Sequence, residues 1–142
     1  MPVVRNPQFN FKEGFCWTDI NSTFLKARLK GKGIFDVVSM SLFSKTTIPD
    51  WFYVVVINTS FISLYVDNFI NNTSHFQIND ARQVPIVIPT KIQLQHAKKL
   101  FDNAFKVKKM QLRQEISEKF AVEMISKIEE SIAVLVNAIY RV

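Results

Sequence analysis

The sequence predicts an α+β chain: a small mixed β-sheet with packed helices, followed by a long C-terminal helical hairpin or coiled-coil-like segment. Near the start, Phe9, Phe11, Phe15 and Trp17 recur with period two, which places them on one face of extended chain. Residues 91–142 contain no glycine and no proline. Their apolar side chains fall three and four apart, at Leu94, Ala97, Phe101 and Ala104, then at Ile125, Ile128, Ile132, Leu135 and Ile139. The length of 142 residues, with 48% hydrophobic and 21% charged side chains, fits one folded domain with an appended helical piece and excludes wholesale disorder. The expected division is residues 1–90 and residues 91–142.

Taken in order, the first β region covers residues 9–43. Between residues 24 and 30, Lys26, Arg28 and Lys30 share one side of the extended chain, with Leu25, Ala27 and Leu29 on the other. Gly31-Lys32-Gly33 predicts a turn, and residues 34–43 predict a further strand through Val37, Val38, Met40 and Leu42. Residues 51–57, Trp-Phe-Tyr-Val-Val-Val-Ile, have strand propensity, yet Pro49-Asp50 marks a helix entrance. After Asn58-Thr59-Ser60, the residues Phe61, Leu64, Tyr65, Asn68 and Phe69 keep helical spacing, and helix is assigned to both pieces. His75-Phe76-Gln77-Ile78 reads as a short strand and Asn79-Asp80 as a turn. Residues 84–88 read as a second strand, at an edge because of Pro85. Thr90 with Gln93 forms a capping box that opens a helix, and Ser117 can cap another. Two helices in an antiparallel hairpin are expected, the alternative being one rod of ~75 Å.

The net charge of +6 is unevenly placed. Basic and acidic side chains number seven and four in residues 1–50, one and two in residues 51–90, and ten and six in residues 91–142. Such an excess fits a nucleic-acid partner or simple solubility. The longest apolar run, residues 51–57, is far short of the ~20 residues that span a bilayer. The first residues carry no apolar signal region, and the single cysteine, Cys16, fits a reducing compartment. A cytoplasmic location with no membrane contact is expected. For catalysis the inventory is thin. His75 and His96 are isolated, Cys16 has no nearby base in sequence, and three glycines supply no phosphate-binding loop. No Asp-x-Lys or Glu-x-Lys pair of the nuclease kind occurs. Asn6-Pro7-Gln8-Phe9 is similar to the Asn-Pro-Pro-Tyr/Phe loop of amino-methyltransferases, but Gln8 replaces the second proline and no glycine-rich cofactor loop accompanies it. The chain is therefore expected not to be an enzyme by itself, and to hold no catalytic, metal or cofactor residues.

Residues 70–90 carry a more specific signal. His75-Phe76-Gln77-Ile78-Asn79-Asp80, then Val84-Pro85-Ile86-Val87-Ile88-Pro89-Thr90, resembles the end of a target-recognition domain in bacterial restriction–modification proteins. The family pattern is a polar Gln-containing strand, an Asp-led turn, and Pro-Ile-x-Ile-Pro leading into a long helix. Leu25-Lys26-Ala27-Arg28, Gly33-Ile34-Phe35-Asp36-Val37, the stretch around Ile57-Asn58-Thr59-Ser60-Phe61-Ile62 and Leu135-Val136-Asn137-Ala138-Ile139-Tyr140 are similar to other parts of it. The likeness is to the C-terminal specificity domains of TaqI-like adenine methyltransferases and fused type IIG restriction enzymes, and more distantly to type I specificity subunits.

The resemblance implies a division of labour. A recognition domain over residues 1–90 grips double-stranded DNA and reads base edges. A methyltransferase or endonuclease domain or subunit, carrying S-adenosylmethionine and Mg, flips and modifies the base. It leaves open whether the chain is a C-terminal fragment or a stand-alone subunit of a split system. The candidate DNA-binding residues are Lys26, Arg28, Lys30 and Lys32 in one group, and His75, Gln77, Asn79 and Arg82 in a second. The bland alternatives are a solvated strand face for the first group and backbone capping by Asn79 and Asp80 for the second. Lys106, Lys108 and Lys109 read as the wet side of a helix, and the stripe through Ile125 and Ile139 as core or helix-partner surface. The alternative function is a structural or oligomerising module that uses the C-terminal helices and does not bind DNA.

Overall fold

The computed structural model of the chain describes residues 7–20, 24–33 and 39–142. Among these the architecture is α+β. Three strands, β1 (Gly14–Thr18), β2 (Ala27–Lys30) and β3 (Ser39–Leu42), form a sheet in the order β2-β1-β3. Five helices follow: α1 (Asp50–Ile57), α2 (Ser60–Phe69), α3 (Ile78–Ala81), α4 (Lys91–Leu112) and α5 (Glu118–Tyr140). Both outer strands run antiparallel to β1, so the sheet is wholly antiparallel in its pairing and not mixed.

The central strand owes its place to its side chains. Phe15 and Trp17 are buried, and their cross-strand partners Leu42, Met40 and Ala27 fall on the same face. Trp17 is 1% exposed, and its indole N–H donates to the Phe76 carbonyl at 2.8 Å. Gly14 has no room for a side chain: a Cβ there would lie 2.5 Å from the Leu42 carbonyl oxygen and 2.8 Å from the Phe43 ring. The alternation that includes Phe9 and Phe11 runs past the strand. Residues Pro7–Phe9 form a short 3-10 helix, and Phe11 sits in a left-handed turn at φ 60°. Of the expected strand over residues 34–43, Ser39–Leu42 is present, and Val37 and Val38 lie outside the described residues.

Residues 51–57 are helical despite their β-branched and aromatic content. Phe52, Val54, Val55, Val56 and Ile57 are all buried, so α1 is covered nearly all round and shows no polar face. It lies against β1, β2 and α4, with Tyr53 stacked on Phe15 at 5.1 Å and Trp51 against Phe101 at 5.8 Å. Asp50 accepts from the Ser44 N–H at 2.9 Å, which ties the helix start to the preceding loop. Thr59 ends the first helix and starts the second. Its hydroxyl donates to the Val56 carbonyl at 2.7 Å and accepts from the Ile62 N–H at 3.4 Å. The two helices meet at a 73° bend. No single helix among the described residues is long and apolar enough to cross a membrane.

The last two helices, α4 and α5, form an antiparallel hairpin rather than a rod. Thr90 and Gln93 form the expected capping box, with bonds of 3.2 and 2.9 Å, and Ser117 accepts from the Phe120 N–H at 3.2 Å. Ala97, Leu135, Val136 and Ile139 join the same apolar core as the sheet and α1. Lys106, Lys108 and Lys109 are exposed.

Two expected strands do not form. His75 makes one isolated bridge, with Ile20, and the residues after it turn into α3. Residues 84–89 form no ladder. Val84 and Ile86 pack on the core instead, and the Pro85 carbonyl accepts from the Tyr140 hydroxyl at 2.7 Å.

Burial pushes the Tyr140 hydroxyl above its usual value of 10.0, partly offset by the Val87 backbone. A folded-state value raised in this way contributes stability that is complete below the unfolded value and lost as pH rises through the folded one. Tyr140→Phe is expected to lower stability at neutral pH by about 0.5–1 kcal/mol, the hydroxyl being only half-buried. In thermal melts the gap from wild type should close as pH climbs through the tyrosine range; a constant gap contradicts this assignment.

Candidate nucleic-acid interface

Five basic side chains, Lys12, Lys26, Arg28, Lys30 and Lys32, and a single acid, Glu13, lie in residues 7–18 and 24–33. The pleat of β2 sorts them. Arg28 is opposite Cys16 and Lys30 opposite Gly14, on the face turned away from Phe15, Trp17 and Ala27. Lys26 precedes the strand and is exposed, as are Arg28 and Lys32. Lys30 has a different task. Its ammonium donates to the carbonyls of Lys12 at 3.2 Å and Gly33 at 3.0 Å, and stands 5.7 Å from the Phe43 ring centre. It closes the end of the sheet, so the outward cations of the first group are Lys26, Arg28 and Lys32.

What holds the basic strand is the elbow between α1 and α2. Asn58 receives the Ala27 N–H on Oδ1 at 2.6 Å and donates through Nδ2 to the Ala27 carbonyl at 2.9 Å. Ser63 Oγ accepts from the Leu25 N–H at 3.1 Å. A side-chain amide thus stands in for a neighbouring strand, and the backbone on both sides of Lys26 is fixed. The polar interruption Asn58-Thr59-Ser60 was the only sequence signal for this clamp, and it read as a break between helices. Asn58→Ala leaves both Ala27 groups without these partners and is expected to cost about 1–3 kcal/mol. The Ala27 amide should exchange with solvent faster in that variant. Unchanged protection at Ala27 would show that the clamp does not hold the strand.

The second group surrounds α3. His75 Nδ1 is 3.0 Å from Asp19 Oδ2, which holds the half-exposed ring by one nitrogen and leaves Nε2 as the group able to meet a partner. The next residue reinforces this, the Phe76 N–H donating to the Asp19 carbonyl at 2.8 Å. Asp80 Oδ2 accepts from the Gln77 N–H at 2.8 Å and from Asn71 Nδ2 at 3.0 Å, so the acid fixes the local backbone. Asn79 Oδ1 accepts from Arg82 Nη1 at 3.2 Å. Both of those side chains are exposed, as is Gln77. Gln77 therefore caps a short helix and does not belong to a polar strand, and Asn79, expected in a turn, lies in the first turn of that helix.

Among the described residues, the segments that carry the two groups share one cavity. Phe24 and Leu25, next to Lys26, line the same shallow cavity of about 30 Å³ as Thr73, Ser74 and Phe76. Lys32 lies beyond the opposite end of β2. Asn58, Ser63, Asp19 and the aromatic pair Phe9–Phe43 act through contacts distant in sequence, which no local pattern signals. No group of three or more His, Cys, Asp or Glu side chains that could hold a metal occurs among the described residues. No protein-family model and no curated protein matches the chain.

Proposed function

We propose that the chain is a sequence-specific double-stranded DNA recognition module of a bacterial restriction–modification enzyme. It positions DNA for an adenine methyltransferase or endonuclease domain supplied elsewhere, in the cytoplasm. The observation that supports this most is the exposed pair Lys26, just before β2, and Arg28, within it, on backbone pinned by Asn58 and Ser63, with Phe24 and Leu25 sharing a cavity with Thr73, Ser74 and Phe76 of the polar segment. Phosphate contacts need exposed cations, and base reading needs donors and acceptors held in register. In this division of labour S-adenosylmethionine and Mg belong to the partner domain, and this chain contributes grip and register.

The test pairs the chain with a methyltransferase that carries Asn-Pro-Pro-Tyr/Phe but lacks a recognition domain. Methyl transfer should become confined to one subset of a defined set of duplexes when the chain is added. Identical modification of every duplex with and without it counts against the reading.

One observation favours the alternative of an oligomerising module without DNA binding. Phe105, Leu112 and Val122 on the hairpin are 61%, 84% and 57% exposed. α4 carries six lysines against Asp102, while α5 carries four glutamates against two lysines. Two copies could pair α4 with α5 by opposite charge and shared apolar surface. Sedimentation at rising protein concentration separates the readings, since this alternative requires an assembly that DNA does not compete with.

A further inference from the structure

We propose that Phe11 is a base-stacking wedge: an exposed aromatic ring, on a turn that carries Lys12 and is bonded through its backbone to the Lys32-Gly33 turn, that takes a nucleobase unstacked from duplex DNA. The inference rests on the recognition reading above and assigns the residue that meets a displaced base. Phe11 is 63% exposed, so its ring contributes little to the core. It is also held at φ 60°, a left-handed conformation that disfavours a large side chain and that glycine or asparagine adopts far more readily. Among the described residues the Phe11 ring has no stacking partner, and backbone outliers of this kind concentrate where a chain meets its ligand.

The turn is rigid. The Phe11 N–H donates to the Gly33 carbonyl at 2.9 Å, and that carbonyl also receives the Lys30 ammonium at 3.0 Å. Beneath it, Phe9 stacks on Phe43 with ring centres 5.1 Å apart, and Lys12 stands 5.2 Å from the Phe9 ring centre. Lys32, exposed in the adjoining turn, adds a further cation. The Lys30 ammonium shares the Gly33 carbonyl with the Phe11 N–H, so cationic side chains and an exposed ring meet at one turn, a combination that matches a nucleotide, whose base offers a π-face and whose phosphate offers charge. Apolar side chains used in this way occupy the gap left when a base step opens. The site would therefore favour an unpaired or deformed step over regular duplex.

The experiment uses the full chain with a duplex containing one bulged 2-aminopurine and the same duplex fully paired. Wild type should bind the bulged duplex more tightly and change its 2-aminopurine fluorescence. Phe11→Ala should lose that change and bind the bulged duplex ~5- to 100-fold more weakly, with paired-duplex affinity altered less than about twofold. Phe11→Trp should restore both signals. Phe11→Gly relieves the backbone, so it should be more stable than Phe11→Ala in denaturant yet equally defective on the bulge, which separates stacking from folding. If Phe11→Ala behaves as wild type on both duplexes, the wedge is overturned and the recognition reading stands. If wild type binds neither duplex even with the methyltransferase partner supplied, both are overturned. Loss of binding to anionic lipid vesicles by Phe11→Ala, with DNA binding intact, would place the ring at a membrane surface and also overturn the wedge.

Discussion

Replacing Trp17 with alanine is expected to remove about 3–5 kcal/mol of stability, a large part of the 5–15 kcal/mol typical of a domain. Two effects combine. The side chain is 1% exposed and packs against Phe15 and Phe76 at 6.3 and 5.7 Å between ring centres, so its removal leaves a cavity at the middle of the sheet. Its N–H also satisfies the Phe76 carbonyl, a bond across 59 residues of sequence. Trp17→Phe separates the two by keeping most of the ring and losing the donor, at an expected cost of about 1–3 kcal/mol. Phe76 anchors the segment that carries His75, Gln77, Asn79 and Arg82. The phenylalanine variant should therefore show faster amide exchange at Phe76 and Gln77, with β2 protected as before. Denaturation followed by the fluorescence of Trp51 gives the global loss. A uniform rise in exchange over the whole chain would contradict the local role given to this bond.

The second large effect concerns DNA. Lys26→Ala combined with Arg28→Ala is expected to weaken duplex binding by about 10- to 100-fold, two charge-assisted contacts being lost. Both side chains are exposed and the backbone around them is held by Asn58 and Ser63, so stability should change by less than about 0.5 kcal/mol. The loss should be nearly the same for all duplex sequences, because contacts to phosphate carry no sequence information. Lys30→Ala should behave differently. Its ammonium is bonded to the carbonyls of Lys12 and Gly33, so that variant should lose stability at the end of the sheet as well as charge.

Legibility in the sequence followed the range of the interaction. Capping is local, and Thr90 with Gln93, Ser117, and the Pro49-Asp50 entrance all placed helix starts that the structure contains. The three-and-four spacing picks out core-facing residues of α4 and α5 at Leu94, Ala97, Phe101, Ile132, Leu135 and Ile139, because each side chain there is sorted by its own helix. Strands were less legible. The alternation of Val84, Ile86 and Ile88 satisfies the strand pattern, yet no partner edge is offered there; Val84 and Ile86 enter the core and Tyr140 takes the Pro85 carbonyl. Phe76 likewise alternates with exposed neighbours, but Asp80 captures the Gln77 N–H and turns the chain into α3. In the candidate site, the exposure of Lys26 and Arg28 followed from period two. That Lys30 is engaged by carbonyls, and that Asn58 supports Ala27 from 31 residues away, depends on tertiary packing that no window of sequence contains.

The most direct measurement is the salt dependence of duplex binding by the wild-type chain and by the Lys26→Ala/Arg28→Ala variant. Each phosphate contact contributes about 0.9 to the slope of log affinity against log salt. Wild type should bind a defined duplex with a steep negative slope, and the variant's slope should be shallower by about two such contacts. Identical slopes for the two proteins, or no salt-sensitive binding at ~50 mM salt even with the methyltransferase partner supplied, would contradict the recognition reading.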